Sequence, residues 1–528
     1  MILGAREMLA GPAERWLIPT ANGETRMRKP PAGYWASAVS MSVLGQSVLA
    51  GRLPAVLASW GTIGLTFLIG RKLFGERAGL YAAGMLLGSW LFFRHGVLAE
   101  TDVLVMFGVT AGVYAILRAR GMSNVEWRMS NGGAWLHVVA IAMAWVALVK
   151  GPPAGWVVLV MVAVDLIDGK LRRRLAGERA ANGPAKRDAA HADWRTSLLW
   201  RFVSSGAIVT LVVIASPWFV YAAFSAQGHQ LTDDLNNSAR GGLGHSEPWW
   251  DYFPQMLLAL MPWSFLWIVA GLASVKLLMR KDASDERVAM MIVYAWGAAV
   301  LVPLLAWGNK QPHYLMSLIP AMMVTAGWAV DRGVSCRWPE LRPAVVAILN
   351  VMLWVLLIAP AALVMTFAWT KRPAPLAIDW LVAAVTLALI AILMLACWRW
   401  KRLSLPITVM AGVAGVLVGV KAVWSPTTEP PGHEAMAREL RERYPDATFV
   451  FRRDASLAMC VAMRRVIPVL SDEELEQLLS VPGEQAICLE ESELELPPLP
   501  GYAEVMRLEG GENDITVLSP TKTIGVQP

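Results

Sequence analysis

Long apolar runs alternate with short polar connections along most of the chain. Each run approaches the length of about 20 residues that a helix needs to cross a bilayer. The pattern predicts twelve such spans, beginning near Ala55, Ala78, Thr101, Ala134, Gly151, Leu199, Gln255, Arg287, His313, Arg342, Leu376 and Leu405. Between the fourth and fifth spans lies only Lys150-Gly151-Pro152-Pro153, which suits a tight turn. The chain is therefore predicted to be an all-α polytopic membrane protein.

The pattern divides the chain into three regions. A loop segment is predicted at residues 1–54, a transmembrane domain at 55–424 and a soluble domain at 425–528. The last region has the shorter, mixed periodicity of a small α/β domain, with helices predicted over His433–Arg443 and Asp472–Leu479 and strands over residues 447–451 and 485–489. No catalytic motif is found in it, so an accessory role is expected.

Composition supports the membrane assignment. Of the 528 residues 56% are hydrophobic and 17% are charged, with a mean hydropathy of +0.46. A soluble domain carries about 25% charged residues. The net charge of +6 is unevenly distributed, because residues 425–528 carry 19 acidic and 9 basic side chains. The basic residues elsewhere lie in the connections, where they set topology and contact anionic membrane lipids, and no basic face with interleaved aromatic residues suggests a nucleic-acid partner.

The positive charges predict the sidedness of the connections. Alternate connections carry 25 basic residues, whereas the other set carries six: Arg94, Lys150, Arg240, Lys310, Lys371 and Arg372. Because lysine and arginine concentrate in cytoplasmic loops, the sparse set is predicted to be extracytoplasmic. The C-terminal domain and residues 1–54 then lie on that side as well. No apolar span precedes the basic segment 1–54, so the sequence predicts that a first helix is missing from this chain.

The candidate site residues lie in the predicted extracytoplasmic connections. Lys29 follows Arg28 and precedes Pro30-Pro31, and it is either an interfacial anchor or an ammonium group that holds a lipid phosphate. Glu100 and Asp102 flank a helix start, where they either cap the helix or place a carboxylate at the mouth of a cavity.

Two later loops add further candidates. His245 is flanked by glycine and precedes Trp249-Trp250, so it is a candidate ligand or acid–base group, although a solitary histidine often has neither role. Lys310 and Tyr314 lie in the run GNKQPHYLMSLIP. Lys29, Arg94 and Lys310 together favour an anionic ligand such as a phosphate or pyrophosphate. Four cysteines show no metal-type spacing; Cys460 and Cys488 are either a disulfide or two buried thiols.

These motifs resemble those of the aminoarabinose-transferase and protein O-mannosyltransferase superfamily, glycosyltransferase family 39-like membrane enzymes of the GT-C fold. The resemblance is carried by AREMLAGPAERWLIPTANGETRMRKPPAGYW, GRLPAVLASWGTIGLTFLIGRKLFGERAGLYAAG, AETDVLVMFG, HSEPWWDYFPQMLLALMPWSF and KQPHYLMSLIPAMM. It covers most of the chain to about residue 330. Members have about 13 transmembrane helices, which agrees with twelve here and one missing.

The resemblance implies transfer of a sugar from a polyprenyl-phosphate carrier to a lipid, glycan or protein acceptor outside the cytoplasm, without a nucleotide cofactor. Lys29 looks like the lysine that contacts the carrier phosphate, and Tyr314 with Lys310 like its partners in the later loop. Asp102 matches the second acidic position, with Glu100 beside it, and His245 matches a loop histidine that helps some members to bind a metal. The main catalytic acid would precede Met1. Arg28 stands where metal-binding members often have an acidic residue, so the cofactor is not defined.

Two other functions remain open from the sequence. A transporter or flippase of polyprenyl-linked glycans would also span the membrane, although no internal repeat is found. An inactive homologue that only binds the carrier is the second alternative. The resemblance to this family, rather than a physical signal in the sequence, suggests that the protein is located in the bacterial inner membrane.

Overall fold

The computed structural model describes residues 1–120, 132–181, 197–240, 247–280, 284–369, 405–428, 433–445, 447–452, 456–464, 466–479, 486–491, 502–508 and 515–520. Its contacts divide the chain into two compact units. The first unit comprises Met1 and residues 27–363 and 385–418, and the second comprises residues 2–26, 364–384 and 419–528.

Helices dominate the described residues. In chain order they are α1 (Ile2–Ala10), α2 (Ala32–Leu44), α3 (Val48–Phe74), α4 (Glu76–Leu87), α5 (Trp90–His95), α6 (Thr101–Arg120), α7 (Gly132–Lys150), α8 (Ala154–Ala181), α9 (Leu198–Ser204), α10 (Ala207–Phe224), α11 (Gly228–Arg240), α12 (Tyr252–Leu260), α13 (Ser264–Met279), α14 (Asp285–Ala306), α15 (Ile319–Val334), α16 (Arg342–Trp369), α17 (Leu405–Thr428), α18 (His433–Arg443), α19 (Leu457–Met463) and α20 (Asp472–Leu479). Short 3₁₀ helices occupy Ala13–Trp16, Trp249–Asp251, Pro312–Leu318 and Pro339–Leu341.

Seven helical segments of the described residues are long and apolar enough to cross a membrane: Val48–Phe74, Thr101–Arg120, Gly133–Lys150, Ala207–Phe224, Asp285–Ala306, Pro312–Val334 and Pro339–Leu356. An eighth is counted if the pair Trp249–Leu260 and Ser264–Met279, bent by 117°, is one span. The chain is thus a multi-pass membrane protein, and its described residues contain fewer long spans than the twelve predicted for the whole chain. One reason is that the apolar run from Ala78 breaks at Gly88-Ser89 into two short helices. The span predicted near Leu376 lies outside the described residues.

The predicted boundary after Pro54 falls inside a helix. Proline disfavours helix interiors, so the sequence pattern places the helix start after it. In the structure α3 begins earlier, at Val48, and the Ser47 side chain caps it by accepting a hydrogen bond from the Ala50 amide at 3.1 Å. The predicted loop 1–54 therefore contains the helices α1 and α2 and the start of α3.

Glycine residues allow α3 and α4 to pack closely. An added Cβ at Gly70 would lie 2.7 Å from the Cα of Gly79, so neither position has room for a side chain. Gly75 joins the two helices with a φ of 103°, a conformation that favours glycine. The run GRKLFGERAG is thus explained by helix packing.

The first unit also contains ion pairs that lie away from the start of α6. The guanidinium of Arg120, at the end of α6, donates hydrogen bonds to both carboxylate oxygens of Asp168 in α8, at 2.6–2.9 Å. Arg332 of α15 pairs with Glu286 of α14 at 2.6 Å and with the neighbouring Asp331. These charges are paired, as buried charges in a membrane protein must be.

The second unit contains two sheets. Five strands, β3 (Thr448–Arg452), β4 (Val469–Leu470), β5 (Ala486–Glu491), β6 (Tyr502–Leu508) and β7 (Ile515–Pro520), form a sheet of order β4-β3-β5-β7-β6. β3 is parallel to β4 and β5, and the other pairs are antiparallel. With α18, α19 and α20 this part has the mixed α/β structure predicted for it. The bounds of α18 and α20 match the prediction, and Ser471 and Glu474 form a capping box at α20.

Residues 2–26 belong to the same unit. Its strands β1 (Thr20–Ala21) and β2 (Glu24–Thr25) form a hairpin around Asn22-Gly23, both with positive φ. Asn22 accepts a hydrogen bond from the amide of Ile467 at 2.8 Å and donates one to its carbonyl at 2.7 Å. The N-terminal hairpin therefore packs on the chain segment that leads into β4. Cys460 and Cys488 are both buried, free thiols, which favours the second of the two predicted states.

Candidate active site

A buried ion pair joins the start of α6 to the end of α7. The Lys150 ammonium lies 2.6 Å from Oδ1 of Asp102, and the two side chains are 17% and 8% exposed. The helices are packed side by side and antiparallel, so the last residue of α7 reaches the first turn of α6. The Gly151-Pro152-Pro153 turn fixes the end of α7 at this place.

An aromatic ring adds to this pair. The ammonium of Lys150 lies 3.9 Å from the ring centroid of Tyr314, within the range of a cation–π interaction. The hydroxyl of Tyr314 is hydrogen-bonded to Ser238, which also accepts a hydrogen bond from the Trp307 indole at 3.0 Å. Lys150 is thus held by one carboxylate and one ring.

These residues line a cavity of about 510 Å³. Its polar lining residues include three cationic side chains, Arg28, Lys29 and Lys150, and two acidic ones, Asp102 and Asp234. The remaining lining is largely apolar and comes from α8, α11 and α14 and the residues next to α8 and α14: Pro152, Pro153, Gly155, Trp156, Val158, Leu159, Leu231, Leu235, Pro303, Leu304 and Trp307. A ligand with an anionic group and an apolar body matches this lining.

The cavity contains three of the predicted site residues, Lys29, Asp102 and Tyr314. Glu100 does not line it; its carboxylate instead lies 2.8 Å from Nδ1 of His95. Arg94 is exposed on α5 and is also not among the lining residues. His245 lies outside the described residues.

Lys310 has a different environment from the one predicted. Its side chain is buried, and its ammonium donates hydrogen bonds to the backbone carbonyls of Leu305, at 3.2 Å, and Trp307. Burial lowers the pKa of Lys310, and the carboxylate of Asp251 acts in the opposite direction. These contacts place Lys310 at the C-terminal end of α14, where it caps carbonyl groups that lack helical partners.

A metal centre is not assembled in the described part of the chain. No group of three or more histidine, cysteine, aspartate or glutamate side chains there is arranged to hold an ion. Arg28 is exposed and lines the cavity.

Sequence reasoning missed the role of Lys150. The signal was present, because Lys150 is one of only six basic residues in the sparse set of connections and directly precedes the Gly-Pro-Pro turn. Without the packing of α6 on α7, nothing connected it with Asp102, which lies 48 positions earlier.

Comparisons with known proteins agree with this architecture. The family described as dolichyl-phosphate-mannose-protein mannosyltransferase matches residues 28–180. The undecaprenyl phosphate-alpha-4-amino-4-deoxy-L-arabinose arabinosyl transferase 2 of Proteus mirabilis (strain HI4320) is 23% identical over 78% of this chain and 70% of its own length. The corresponding transferase of Aeromonas hydrophila is 23% identical over 62% of this chain and 54% of its own length.

A solved structure shares the fold. The crystal structure of ArnT from Cupriavidus metallidurans bound to undecaprenyl phosphate aligns with a TM-score of 0.71 and 18% identity, covering 100% of this chain and 94% of that one. The apo structure of the same protein aligns with a TM-score of 0.68. The fold is therefore that of the GT-C membrane proteins.

The class that these observations define is a helical membrane protein of the GT-C fold with a cavity lined by cationic side chains. In sequence, the chain is similar to the superfamily that includes the aminoarabinose transferases and the protein mannosyltransferases.

Proposed function

We propose that the chain transfers a sugar from a polyprenyl-phosphate carrier to a lipid, glycan or protein acceptor on the extracytoplasmic face of the bacterial inner membrane. The observation that carries the proposal is the cavity. It combines Lys29, Lys150 and Tyr314 with an apolar lining of tryptophan, leucine and proline side chains. A polyprenyl phosphate has the matching chemistry, an anionic head on an apolar chain.

The cations have a direct role in this reaction. The bond between the anomeric carbon and the phosphate oxygen breaks, and its electron pair leaves with the polyprenyl phosphate. Negative charge therefore increases on the phosphate, and fixed cations beside it stabilise the transition state more than the ground state. Lys29 and Lys150 supply two ammonium groups, and Lys150 is already positioned by Asp102 and Tyr314.

Of the two carboxylates in the cavity lining, Asp102 is the buried one, and we assign it to the acceptor. As the acceptor oxygen forms its bond to the anomeric carbon, its proton must move to a base within hydrogen-bond reach. Oδ1 of Asp102 is occupied by Lys150, whereas Oδ2 faces Thr101 and His313 at 3.4 and 3.8 Å. When the donor phosphate draws Lys150 toward itself, the carboxylate regains basicity. The pair thereby couples carrier binding to proton acceptance.

The proposal is tested with the full chain in membrane vesicles that contain radiolabelled undecaprenyl-phosphate sugars. Label should move from the carrier to an endogenous acceptor, and Lys29→Ala should abolish most of this transfer. Lys276→Ala is the matched control, because Lys276 forms an exposed pair with Glu340 outside the cavity. Carrier binding without transfer to any acceptor contradicts the proposal and indicates a carrier-binding homologue. Movement of intact carrier across the vesicle membrane indicates a flippase.

A further inference from the structure

Two histidines extend from the buried Asp102 toward the protein surface. Nε2 of His313 lies 3.8 Å from Oδ2 of Asp102, and the rings of His313 and His95 have centroids 5.9 Å apart. Nδ1 of His95 lies 2.8 Å from Oε2 of Glu100. The four side chains form a row in which carboxylates stand at both ends and imidazoles between them.

The row leads out of the protein interior. The exposed fractions of the side chains at its two ends are 8% for Asp102 and 34% for Glu100. The imidazoles between them are half-buried, at 28% for His313 and 14% for His95. The row thus joins a carboxylate that lines the cavity to a more exposed one at Glu100, from which a proton can pass directly to solvent.

The local structure holds both rings in place. His95 ends α5, and its carbonyl accepts a hydrogen bond from the Leu98 amide at 2.9 Å, while Ser59 of α3 donates one to the Gly96 carbonyl at 2.6 Å. His313 stands on the 3₁₀ helix Pro312–Leu318, with its ring edge-on to Tyr314 at 4.9 Å. The helices thus position the backbone of both histidines, while Glu100 and Tyr314 contact the two rings.

Imidazole is suited to this position. With an ordinary pKa of about 6.5 it both accepts and releases protons near neutral pH, and it carries a nitrogen on each side of the ring. His313 faces the charged or titratable groups of Asp102, Lys150, Glu100 and His95, besides Tyr314. Asp102 faces Lys150, His313 and Lys29.

We propose that His313, His95 and Glu100 form a relay that carries a proton from Asp102 to solvent during sugar transfer, and that the acceptor group is therefore a hydroxyl. This inference rests on the proposed function. The acceptor O–H bond breaks, its oxygen bonds to the anomeric carbon, and its proton goes to Asp102. The proton then moves through the two imidazoles to Glu100 and water, with one water between the rings. A phosphate acceptor that is already deprotonated releases no proton and needs no relay.

His95 is the informative position, because it lies outside the cavity lining and can be changed without removing a donor contact. His95→Gln should lower kcat about 10- to 100-fold, toward the lower end of the roughly 10²–10⁴ range of general acid–base effects, with KM for the carrier unchanged. His95→Ala should regain activity when imidazole is added, with saturation. In wild type the rate should fall at acid pH, where protonated groups cannot accept a further proton, and this dependence should be weaker in His95→Gln.

The control is His229→Gln, since His229 is exposed and its Nδ1 lies 2.9 Å from the carbonyl oxygen of Ala226, away from the row. If His95→Gln keeps the wild-type kcat and pH profile, the relay is overturned, whereas the proposed transferase function is not affected. The relay is equally overturned if His95→Ala loses activity that imidazole does not restore, because a purely structural role is then indicated. Absence of transfer by the wild type overturns the proposed function itself, and the relay with it.

Discussion

Lys150 and Asp102 form an ion pair, with 2.6 Å between Nζ and Oδ1, at the place where α6 begins and α7 ends. Both residues line the cavity, so the pair brings a cation and a carboxylate into one site. Replacing one partner leaves the other buried and unpaired, which costs more than the pair contributes.

Lys150→Met should therefore abolish transfer and also destabilise the protein by about 3–5 kcal/mol, the cost of breaking a buried pair. The double variant Lys150→Met/Asp102→Asn should recover most of this stability but no activity. Unfolding of the detergent-solubilised protein and the transfer assay measure the two effects separately. Equal stability of the single and double variants would contradict a paired charge at this site.

Lys29→Ala should weaken carrier binding with little effect on stability, because Lys29 is partly exposed and lines the cavity. A hydrogen bond to a charged group is worth about 1.5–3 kcal/mol, so KM for the donor should rise about 10- to 100-fold. Lys29→Arg should keep part of the binding. Titration with undecaprenyl phosphate, monitored by the shift in unfolding temperature, compares carrier binding by the variants without turnover. An unchanged titration in Lys29→Ala would remove Lys29 from the phosphate site.

The sequence predicted the membrane class, the mixed C-terminal domain and three cavity residues, because apolar periodicity and local motifs carry that information. The sequence did not predict which groups these side chains contact. Lys310 and Lys150 look alike in sequence, as single lysines in short connections. Their roles differ because Lys150 meets Asp102 from a neighbouring helix, whereas Lys310 turns back to the carbonyls of its own segment. Glu100 likewise lies two residues from Asp102 yet pairs with His95, since the chain turns between α5 and α6.

Lys310→Met tests this distinction. The ammonium donates to the carbonyls of Leu305 and Trp307, so its loss should lower the unfolding temperature and leave KM for the carrier unchanged. The methionine keeps a similar apolar stem and removes only the charge. Tyr314→Phe is the comparison, since it loses the hydroxyl bond to Ser238 inside the cavity lining and should change KM. A raised KM in Lys310→Met would restore Lys310 as a phosphate ligand.

Cys336 provides a test of sidedness. It is exposed after α15, in a connection with Arg332, Arg337 and Arg342 that the positive-inside rule places in the cytoplasm. In a Cys397→Ser background, a membrane-impermeant maleimide should leave Cys336 unlabelled in intact spheroplasts and label it after permeabilisation. A cysteine placed at Arg240, in the opposite set of connections, is the control and should be labelled in both. Labelling of Cys336 in intact spheroplasts would invert the topology.

The buried thiols of Cys460 and Cys488 should make the stability of the second unit depend on pH in the alkaline range. Burial raises the pKa of Cys460 to about 11 and that of Cys488 to about 12, against an ordinary value near 9. As the pH rises above about 9, the unfolded chain releases these protons first, so the domain should lose stability between pH 9 and 11. At pH 8 only about one Cys460 thiol in a thousand is ionised, and alkylation should require unfolding. The test follows iodoacetamide labelling of both cysteines and the unfolding midpoint from pH 8 to 11, with Cys460→Ala/Cys488→Ala as control. The control should show a flatter pH dependence; an equally steep one would assign the loss to other groups.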